Sequence, residues 1–245
     1  MNSVIELLKS HRSIRKFTDK KISQELLSDL IQAGQAAATS SFLQGVTVIR
    51  VTDGEKKAAF VDISGGQKYV ATAAEFLVFC ADLDRSSRCC EWHDAKATVG
   101  FTEQFIIATV DVGLFAQNVV VAAESEGLGI CYIGGIRNNP ARAAELLELP
   151  NNVYPVFGLC LGYPDQDPEV KPRLPVPVVL KENSYDDGQD RALIDAYDQD
   201  VRQYYRTRTG GKKEMSWSEQ MSGLLGKESR PHMRAFLKDQ GFDMK

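Results

Sequence analysis

Hydrophobic positions along the chain follow two spacings, which predict a mixture of helices and strands. After Ser23, a favourable N-cap, the apolar side chains of residues 26–31 recur at helical spacing, so one face of this helix should be buried. Short apolar runs that end at glycine or polar residues are typical of strands. Such runs predict strands at residues 46–51, 76–81, 130–133 and 153–161.

The longest apolar segment predicts a helix over residues 102–126, with hydrophobic side chains almost all round it. A helix of this kind lies in a protein core or between subunits. Thr109, Asp111, Gln117 and Asn118 interrupt the segment. We therefore expect a buried helix of a soluble protein and not a membrane span.

Proline residues divide the rest of the chain. Pro140, with Asn139 as its N-cap, predicts the start of another helix. Residues 165–177 are proline-rich and predict irregular structure, because proline fixes φ and has no N–H to donate. The chain then becomes polar and helical. Helices are also predicted at residues 4–9, 55–62 and 191–206, and after Ser216 and Pro231.

The overall charge argues against two classes of partner. The 245 residues carry a formal net charge of −4, so no global basic field exists to bind nucleic acid or an anionic membrane. The five cysteines form no CxxC pair and the three histidines are scattered, so neither a disulfide framework nor a metal site is expected. The adjacent Cys89 and Cys90 resemble a redox centre, but we expect them to be two thiols on a polar surface helix. Free thiols and the lack of a signal-peptide pattern predict a cytoplasmic protein.

Two short clusters concentrate positive charge. His11, Arg12, Ser13 and Arg15 place two guanidinium groups, a hydroxyl and an imidazole within five residues. The guanidinium fork matches phosphate oxygens, although a solvated run of charge is the simpler alternative. In the second cluster, Lys171-Pro172-Arg173, a proline stiffens the loop and lowers the cost of ordering two cations around an anion.

Three further segments offer polar groups to a flat ligand. Residues 39–44 (TSSFLQ) combine hydroxyl groups, an aromatic ring and an amide, and residues 65–68 (GGQK) combine a glycine turn with an amide. Residues 132–135 (YIGG) end a predicted buried strand, and glycine there allows a ligand close to the backbone. Neither glycine motif has the spacing of a dinucleotide fingerprint or a P-loop. Together the segments predict a phosphorylated, flat, polar ligand, provided that the fold brings them together.

Ten motifs, in order along the chain, resemble the group A bacterial nitroreductases. They are IELLKSHRSIRKFTD, SSFLQ, GGQKYV, AAEFLVFCADL, AQNVVVAAESEGLG, YIGGIRNN, FGLCLGYP, KPRLP, ENSY and KESRP. Each one alone is weak, but ten ordered matches across most of the chain are highly specific.

The resemblance implies an α+β fold, with a mostly antiparallel central sheet wrapped by helices in an intertwined homodimer. It also implies an FMN-binding core over residues 1–180 and a helical extension over residues 181–245. The extension would wrap the dimer and contribute to NAD(P)H binding. FMN would bind at the dimer interface and carry the redox chemistry, so no catalytic side chain is expected.

The resemblance also implies which residues bind FMN. From one subunit these are His11, Arg12, Ser13, Arg15, Gln67, Tyr132, Ile133, Gly134, Gly135, Lys171 and Arg173. The segment Thr39, Ser40, Ser41 and Phe42 would be supplied by the second subunit, with Thr39 standing where the family often has serine. Arg15 would stabilise negative charge on the reduced ring, and Arg12, Lys171 and Arg173 would hold the phosphate.

The electron donor is assigned by the same resemblance to a basic loop near the C-terminus. Arg208 and Lys213 would bind the 2′-phosphate of NADPH, with Lys213 standing where the family has arginine. Lysine presents a point charge and not a fork, so NADH stays an alternative donor. Arg230 and Phe42 would contact the acceptor.

Three functions fit these residues. The first is a two-electron reduction of nitroaromatics or quinones, in which NADPH and the acceptor use FMN in turn. The second keeps the fold but reduces free flavin, with disulfide, chromate and azo acceptors as further variants. The third is a non-catalytic protein that binds a phosphorylated ligand through the basic clusters, which leaves the nicotinamide loop unexplained.

Overall fold

The computed structural model describes residues 2–245 and contains one four-stranded sheet. Its strands are β1 (Val46–Arg50), β2 (Glu75–Asp82), β3 (Gly129–Ile133) and β4 (Val153–Gly162). They lie in the order β1-β2-β4-β3, and each pair of neighbours is antiparallel. All four predicted strands are confirmed to within one residue at each end.

Helices cover the sheet or follow it in sequence, which confirms the α+β class. In chain order they are α1 (Ser3–Lys9), α2 (Gln24–Gln35), α3 (Gly54–Ile63), α4 (Tyr69–Thr72), α5 (Asp84–Trp92), α6 (Thr102–Ser125), α7 (Pro140–Leu146), α8 (Val176–Val179), α9 (Asp190–Thr209), α10 (Trp217–Leu225) and α11 (Met233–Asp239). Single 3₁₀ turns occur at Ser40–Phe42 and Gly134–Asn138.

The two faces of the sheet are buried by different helices. On β2, Leu77 and Phe79 pack in a cluster with α2 and α6, whereas Phe76 and Val78 pack with α3, α4 and α7. Successive residues of a strand point to opposite faces, so β2 is buried along its whole length. The continuous apolar run predicted this arrangement.

Side-chain caps set several helix starts where the sequence predicts them. Ser23 and Asn139 each accept an N–H from three residues further on, both at 3.1 Å. At α10, Ser216 and Glu219 form a reciprocal capping box, with the Ser216 N–H donating to the Glu219 carboxylate at 2.8 Å. These bonds satisfy N–H groups that have no partner within their own helix.

Helix α6 has two faces of different character. Ala108, Val112 and Val119 are fully buried against the sheet and α2. On the opposite face, Ile106, Val110 and Leu114 are 47%, 53% and 46% exposed. The predicted apolar helix is therefore confirmed, but a single chain buries only one of its faces. In the described part of the chain it is also the one helix long and apolar enough, by length and composition, to cross a membrane.

Three local findings refine the predicted elements. The irregular stretch ends earlier than predicted, because α8 begins at Val176; Pro177 is tolerated in its first turn, where an N–H has no helical partner. Helix α5 carries Cys89 and Cys90, which confirms a surface helix for this pair, and Cys89 is exposed. Helix α1 forms as predicted but buries none of its own residues.

The chain divides into two compact units. The first contains the chain up to Asp167 together with Arg230–Lys245, and therefore the whole sheet. The second, Pro168–Ser229, contains α8, α9 and α10. It has a small core of its own, formed by Tyr197, Val201, Tyr204 and Tyr205, against which Leu174 and Trp217 pack.

Gly34 tests how closely α2 and α6 pack. A Cβ at Gly34 would lie 2.4 Å from the Phe115 ring and 2.7 Å from Val119. Gly34→Ala should lower the free energy of unfolding by roughly 1–2 kcal/mol, because overpacking outweighs the helix propensity that alanine adds. Urea denaturation measures the change.

Gly223 is the matched control, since it also lies near the end of a helix but has nothing within 4 Å of an added Cβ. Gly223→Ala should leave stability unchanged or raise it by up to about 1 kcal/mol. Equal stability of the two variants would contradict close packing at Gly34.

Candidate functional site

The segment that carries the first basic cluster runs beside the edge strand β3. Ser13 forms a parallel bridge with Ile130, and the Ile14 N–H donates to the Ile130 carbonyl at 2.8 Å. Gly129 permits this approach, since a Cβ there would lie 2.6 Å from Ile14 Cγ1. The segment therefore runs toward the carboxyl end of β3, where the Gly134–Asn138 turn begins.

Arg15 and Ser13 lie in one cluster with Tyr69 and Cys131. Burial, and then the neighbouring Cys131, raise the pKa of the Tyr69 hydroxyl, whereas Arg15 opposes the rise. Burial also raises the pKa of the Cys131 thiol, against the positive charge of Arg15 and the polar side chains of Tyr69 and Ser13. Arg15 thus favours negative charge at this point of the structure.

Gln67 is fixed at both ends of its amide. The Tyr69 hydroxyl donates to Gln67 Oε1 at 2.5 Å, and Gln67 Nε2 donates to the Ser64 carbonyl at 2.8 Å. An amide nitrogen carries two N–H groups, so a second donor stays on Nε2 for a ligand. The side chain is therefore oriented in advance.

The two glycine motifs, residues 65–68 and residues 132–135, contact each other at Gly135. A Cβ at Gly135 would lie 2.8 Å from the Ser64 carbonyl oxygen and 2.9 Å from Gln67 Nε2. Gly65 and Gly66 both have φ of +79°, a conformation that glycine adopts readily. The Gly134–Asn138 turn therefore packs directly on residues 64–67.

The side chains of Tyr132 and Ile133 point into the two cores and not toward this contact. Ile133 is fully buried, and the Tyr132 ring packs edge-on against Phe157 at 5.0 Å. Burial, with a smaller contribution from Glu124, raises the pKa of Tyr132 to about 12. What residues 132–135 offer to a ligand is therefore their backbone.

His11 and Arg12 lie beside a cavity of about 690 Å³ that Glu124 and residues 165–167 also line. His11 Nδ1 is 2.8 Å from Glu124 Oε1, while the buried Glu124 Oε2 has no hydrogen-bond partner within residues 2–245. Arg12 Nη2 pairs with Asp167 Oδ1 at 2.5 Å. The Asp167 side chain is 83% exposed, so the pair is weak and a competing anion could replace it.

The segment at residues 39–42 lies against α6. The Ser40 N–H donates to Asp111 Oδ1 at 3.1 Å. Ser41 and Phe42 have φ of 50° and 57°, which is unusual for residues with a Cβ, and Phe42 is 80% exposed. A strained turn thus presents an aromatic ring outward.

Arg230 is attached to the turn that follows β3. Its Nε and Nη2 both donate to Asn138 Oδ1 at 3.0 Å, and Asn138 Nδ2 donates to the Ile63 carbonyl at 3.2 Å. The Arg230 backbone has φ of 54°. The structure therefore brings Arg230 to the same loops as Gln67 and Gly135.

The second unit places three of its cations, Lys171, Arg208 and Lys213, on two adjacent tyrosines. Lys171 Nζ donates to Tyr205 Oη at 2.9 Å, and Arg208 Nη1 donates to Tyr204 Oη at 2.9 Å. Lys213 Nζ lies 4.3 Å from the centroid of the Tyr205 ring. Arg173 Nη1 donates to the Lys171 carbonyl at 2.6 Å, a hydrogen bond within the proline loop.

The arrangement within the first unit suits a flat, polar, electron-rich ligand. Ser13, Arg15, Gln67 and the backbone of residues 132–135 converge at the end of β3. Within residues 2–245 of a single chain, residues 39–42 contact α6 and are not part of this group of ligand-binding residues. The side chain of Arg12 pairs with Asp167.

Besides the carboxylates of Asp111, Glu124 and Asp167, sequence reasoning missed four uncharged polar side chains that hold the predicted ones. These are Tyr69, Asn138, Tyr204 and Tyr205. Two of them had a visible signal, since Tyr69 follows Gln67 by two residues and Tyr204 precedes Arg208 by four, one helical turn. Asn138 and Tyr205 act through contacts that are distant in sequence.

Two family models match this chain. The nitroreductase family matches residues 8–163, and the nitroreductase family, C-terminal domain, matches residues 171–245. The chain is 49% identical over 243 residues to an NADPH-flavin oxidoreductase of Vibrio harveyi, with 98% of each chain covered. It is 45% identical over 242 residues to an oxygen-insensitive NADPH nitroreductase of Salmonella typhimurium, with 99% of each covered.

A solved structure has the same fold. It is the NADPH:FMN oxidoreductase from Vibrio harveyi complexed with NAD+, which matches with a TM-score of 0.91 and 46% identity over 100% of both chains. The nitroreductase-like fold that the resemblance implies is therefore confirmed.

Gly135 tests the contact between the two glycine motifs. Gly135→Ala should destabilise the protein by roughly 1–3 kcal/mol, because the added methyl group meets backbone atoms of Ser64 that cannot turn away. Gly134→Ala is the control, since its Cβ would meet only the flexible end of Arg137 at 3.3 Å. Thermal unfolding of both variants measures the difference, and equal shifts would contradict the assigned packing.

Proposed function

Since this chain belongs to the nitroreductase family, we propose that it is an FMN-dependent oxidoreductase that passes electrons in pairs from NADPH to nitroaromatics, quinones or flavins. The observation that carries the proposal is the convergence of Ser13, Arg15, Gln67 and the Gly134–Asn138 turn at the end of β3. The donor and the acceptor are small molecules that use this site in turn.

The residues at this site fit FMN. An isoalloxazine ring carries carbonyl oxygens and ring nitrogens along one edge, and the cluster offers an amide, a hydroxyl and a guanidinium group. FMN, when bound, supplies the hydride chemistry. Gln67 and Ser13 would bind and orient the ring, and the backbone of Gly134 and Gly135 would lie beside it because neither residue has a side chain.

Arg15 would supply the electrostatic stabilisation. It already opposes the rise in pKa that burial causes at Tyr69 and Cys131, so its positive charge acts where these buried groups lie. A fixed cation favours the negative charge that arrives with two electrons. We assign the stabilisation of this negative charge to Arg15. We assign no proton transfer to any side chain.

The phosphate of FMN would be held by Arg12, Lys171 and Arg173. Arg12 is available because its partner Asp167 is exposed and the ion pair is weak. His11, which is held by Glu124, would also bind FMN. Arg208 and Lys213 would bind the 2′-phosphate of NADPH, and NADH is the weaker donor.

We infer a homodimer from the open face of α6. Ile106, Val110 and Leu114 recur every fourth residue and are about half exposed, which is a contiguous apolar stripe on a helix. The strained turn with Ser40, Ser41 and Phe42 is held by α6 through Asp111. Residues 39–42 would therefore enter the site of the second subunit, where Phe42 and Arg230 would contact the acceptor.

Two wider expectations stay predictions of the same proposal. One is the division into an FMN-binding core, residues 1–180, and a helical extension, residues 181–245. The other is a cytoplasmic location, which the five free cysteines favour because a reducing compartment preserves thiols.

Free flavin is the second candidate acceptor. The Vibrio harveyi relative is described as a flavin oxidoreductase, and the Salmonella typhimurium relative as a nitroreductase. Comparing kcat/KM for free FMN, a quinone and a nitroaromatic ranks the candidates for this chain.

The proposed function has a direct test. The purified protein should be yellow, release FMN on heating and oxidise NADPH when a nitroaromatic is present. Stopped-flow measurement of flavin absorbance, with NADPH and NADH in separate runs, measures the reduction step. A colourless protein that takes up no added FMN would falsify the proposal.

A pair of neighbouring cations provides the matched control for this test. Arg15→Ala should weaken FMN binding or slow its reduction by roughly tenfold, as expected for loss of a charge-assisted contact. Lys16→Ala removes the exposed cation next in sequence and should change neither rate nor affinity.

The inferred dimer is tested at Val110. Val110→Asp should place an unpaired carboxylate in the interface, so light scattering should show a mass near 27.1 kDa in place of twice that value. FMN should be lost in parallel, because residues 39–42 of each chain would leave the other's site. Ala58→Asp, at an exposed position on α3, is the control and should stay dimeric. A wild-type protein with the mass of one chain, near 27.1 kDa, contradicts the inference.

A further inference from the structure

Two adjacent tyrosines of α9 each bind a cation that the proposed function assigns to a different ligand. Tyr204 and Tyr205 are only 7% and 8% exposed, and their rings meet edge to face at 5.4 Å. The Tyr205 hydroxyl accepts from Lys171, which we assign to the FMN phosphate. The Tyr204 hydroxyl accepts from Arg208, which we assign to the donor.

The Tyr205 hydroxyl has a fixed direction. It donates to Gln220 Oε1 at 3.0 Å, and Gln220 Nε2 donates to the Ser216 carbonyl at 2.9 Å. Ser216 is fully buried and caps α10. Because the hydroxyl proton is committed to Gln220, an oxygen lone pair faces Lys171.

The Tyr205 ring has a second contact, with the loop that follows α9. Lys213 lies 4.3 Å from the ring centroid, a cation–π distance. Thr209 ties this loop to Tyr205 as well: its hydroxyl donates to the Tyr205 carbonyl at 2.7 Å and accepts the Lys213 N–H at 2.9 Å. The position of Lys213 is therefore set by Tyr205.

The electrostatic surroundings agree with these contacts. Burial alone raises the pKa of Tyr205, but the hydrogen bond from Lys171 and the charges of Lys171, Lys213 and Arg208 hold it below its ordinary value. Positive charge is thus concentrated at this hydroxyl. Long, flexible lysine and arginine side chains lose much rotamer freedom when a ligand orders them, and a fixed partner reduces that loss in advance.

We propose that Tyr204 and Tyr205 are positioning residues for two different ligands: the Tyr205 hydroxyl orients Lys171 for the FMN phosphate, and the Tyr204 hydroxyl orients Arg208 for the 2′-phosphate of the donor. The Tyr205 ring, and not its hydroxyl, positions Lys213. This assignment rests on the proposed function. Neither tyrosine touches the reacting atoms in it.

The two hydroxyl groups can be removed separately in the holoenzyme. Tyr205→Phe should raise the Kd of FMN by roughly three- to tenfold, the effect of losing one ordinary hydrogen bond. The KM for NADPH should change by less than about twofold, because the ring under Lys213 is retained. FMN affinity is read from the recovery of flavin fluorescence on serial dilution.

Tyr204→Phe should give the converse result. The KM for NADPH should rise by roughly three- to tenfold while the KM for NADH stays within about twofold, since only NADPH carries the 2′-phosphate. The Kd of FMN should not change. Arg208→Ala sets the upper limit of the NADPH effect.

A double-mutant cycle separates positioning from a loss of structure. If Tyr205 acts through Lys171, then Lys171→Met and the double variant with Tyr205→Phe should have the same Kd for FMN. Tyr205→Leu, which also removes the ring, should raise both the Kd of FMN and the KM for NADPH.

Three results would overturn the assignment. In the first, both phenylalanine variants keep the wild-type Kd of FMN and KM for NADPH. In the second, either variant changes the Kd and the KM in proportion, and in the third, the effects of Lys171→Met and Tyr205→Phe on the Kd of FMN are additive. A wild-type protein that binds no FMN overturns the proposed function together with this inference. A wild-type protein that binds FMN, with Tyr205→Phe indistinguishable from it, overturns the positioning role alone.

Discussion

Gly129 leaves the edge of β3 bare, and the N-terminal segment packs into that space with Ile14 against the backbone. A side chain at this position would push the segment away, because an added Cβ would lie 2.6 Å from Ile14 Cγ1. The parallel bridge between Ser13 and Ile130 then sets the register of the segment, so Arg15 reaches Tyr69 and Cys131. The remainder of the site depends on this one close approach, since it joins a cation to the loops that follow β3.

The cations that we assign to phosphate groups act through local contacts and not through the overall charge of the chain. The chain is acidic overall, with a formal net charge of −4, so its net charge does not attract an anion. Arg12, Lys171 and Arg208 each have a side-chain partner, and these partners differ in how firmly they hold the cation. Asp167 is exposed and can give up Arg12, whereas Tyr204 and Tyr205 are buried and orient their cations without neutralising them. A neutral phenol suits this purpose, since a carboxylate would cancel the charge that a phosphate needs.

Helix α6 connects the fold to the proposed assembly. Its inner face is packed so closely against α2 that Gly34 has no room for a methyl group. Its outer face exposes Ile106, Val110 and Leu114, and its buried Asp111 holds the strained turn at residues 39–42. The same helix therefore stabilises the core of one chain and presents the residues that we assign to the site of the other.

The sequence by itself determined the four strands, the caps at Ser23, Asn139 and Ser216, and the helix of residues 102–125, because local spacing and capping chemistry act over a few residues. It also identified the polar segments of the site, through their composition and their resemblance to a family. It could not predict that Gly135 touches Ser64, that Asn138 holds Arg230 or that Tyr205 receives Lys171, since these partners are separated by 34 to 92 residues. It placed α6 in the core or between subunits, and the structure shows which face is buried within one chain and which stays open. Only the tertiary structure decided these points, because contacts between distant segments depend on how the sheet and its helices pack and not on local propensity.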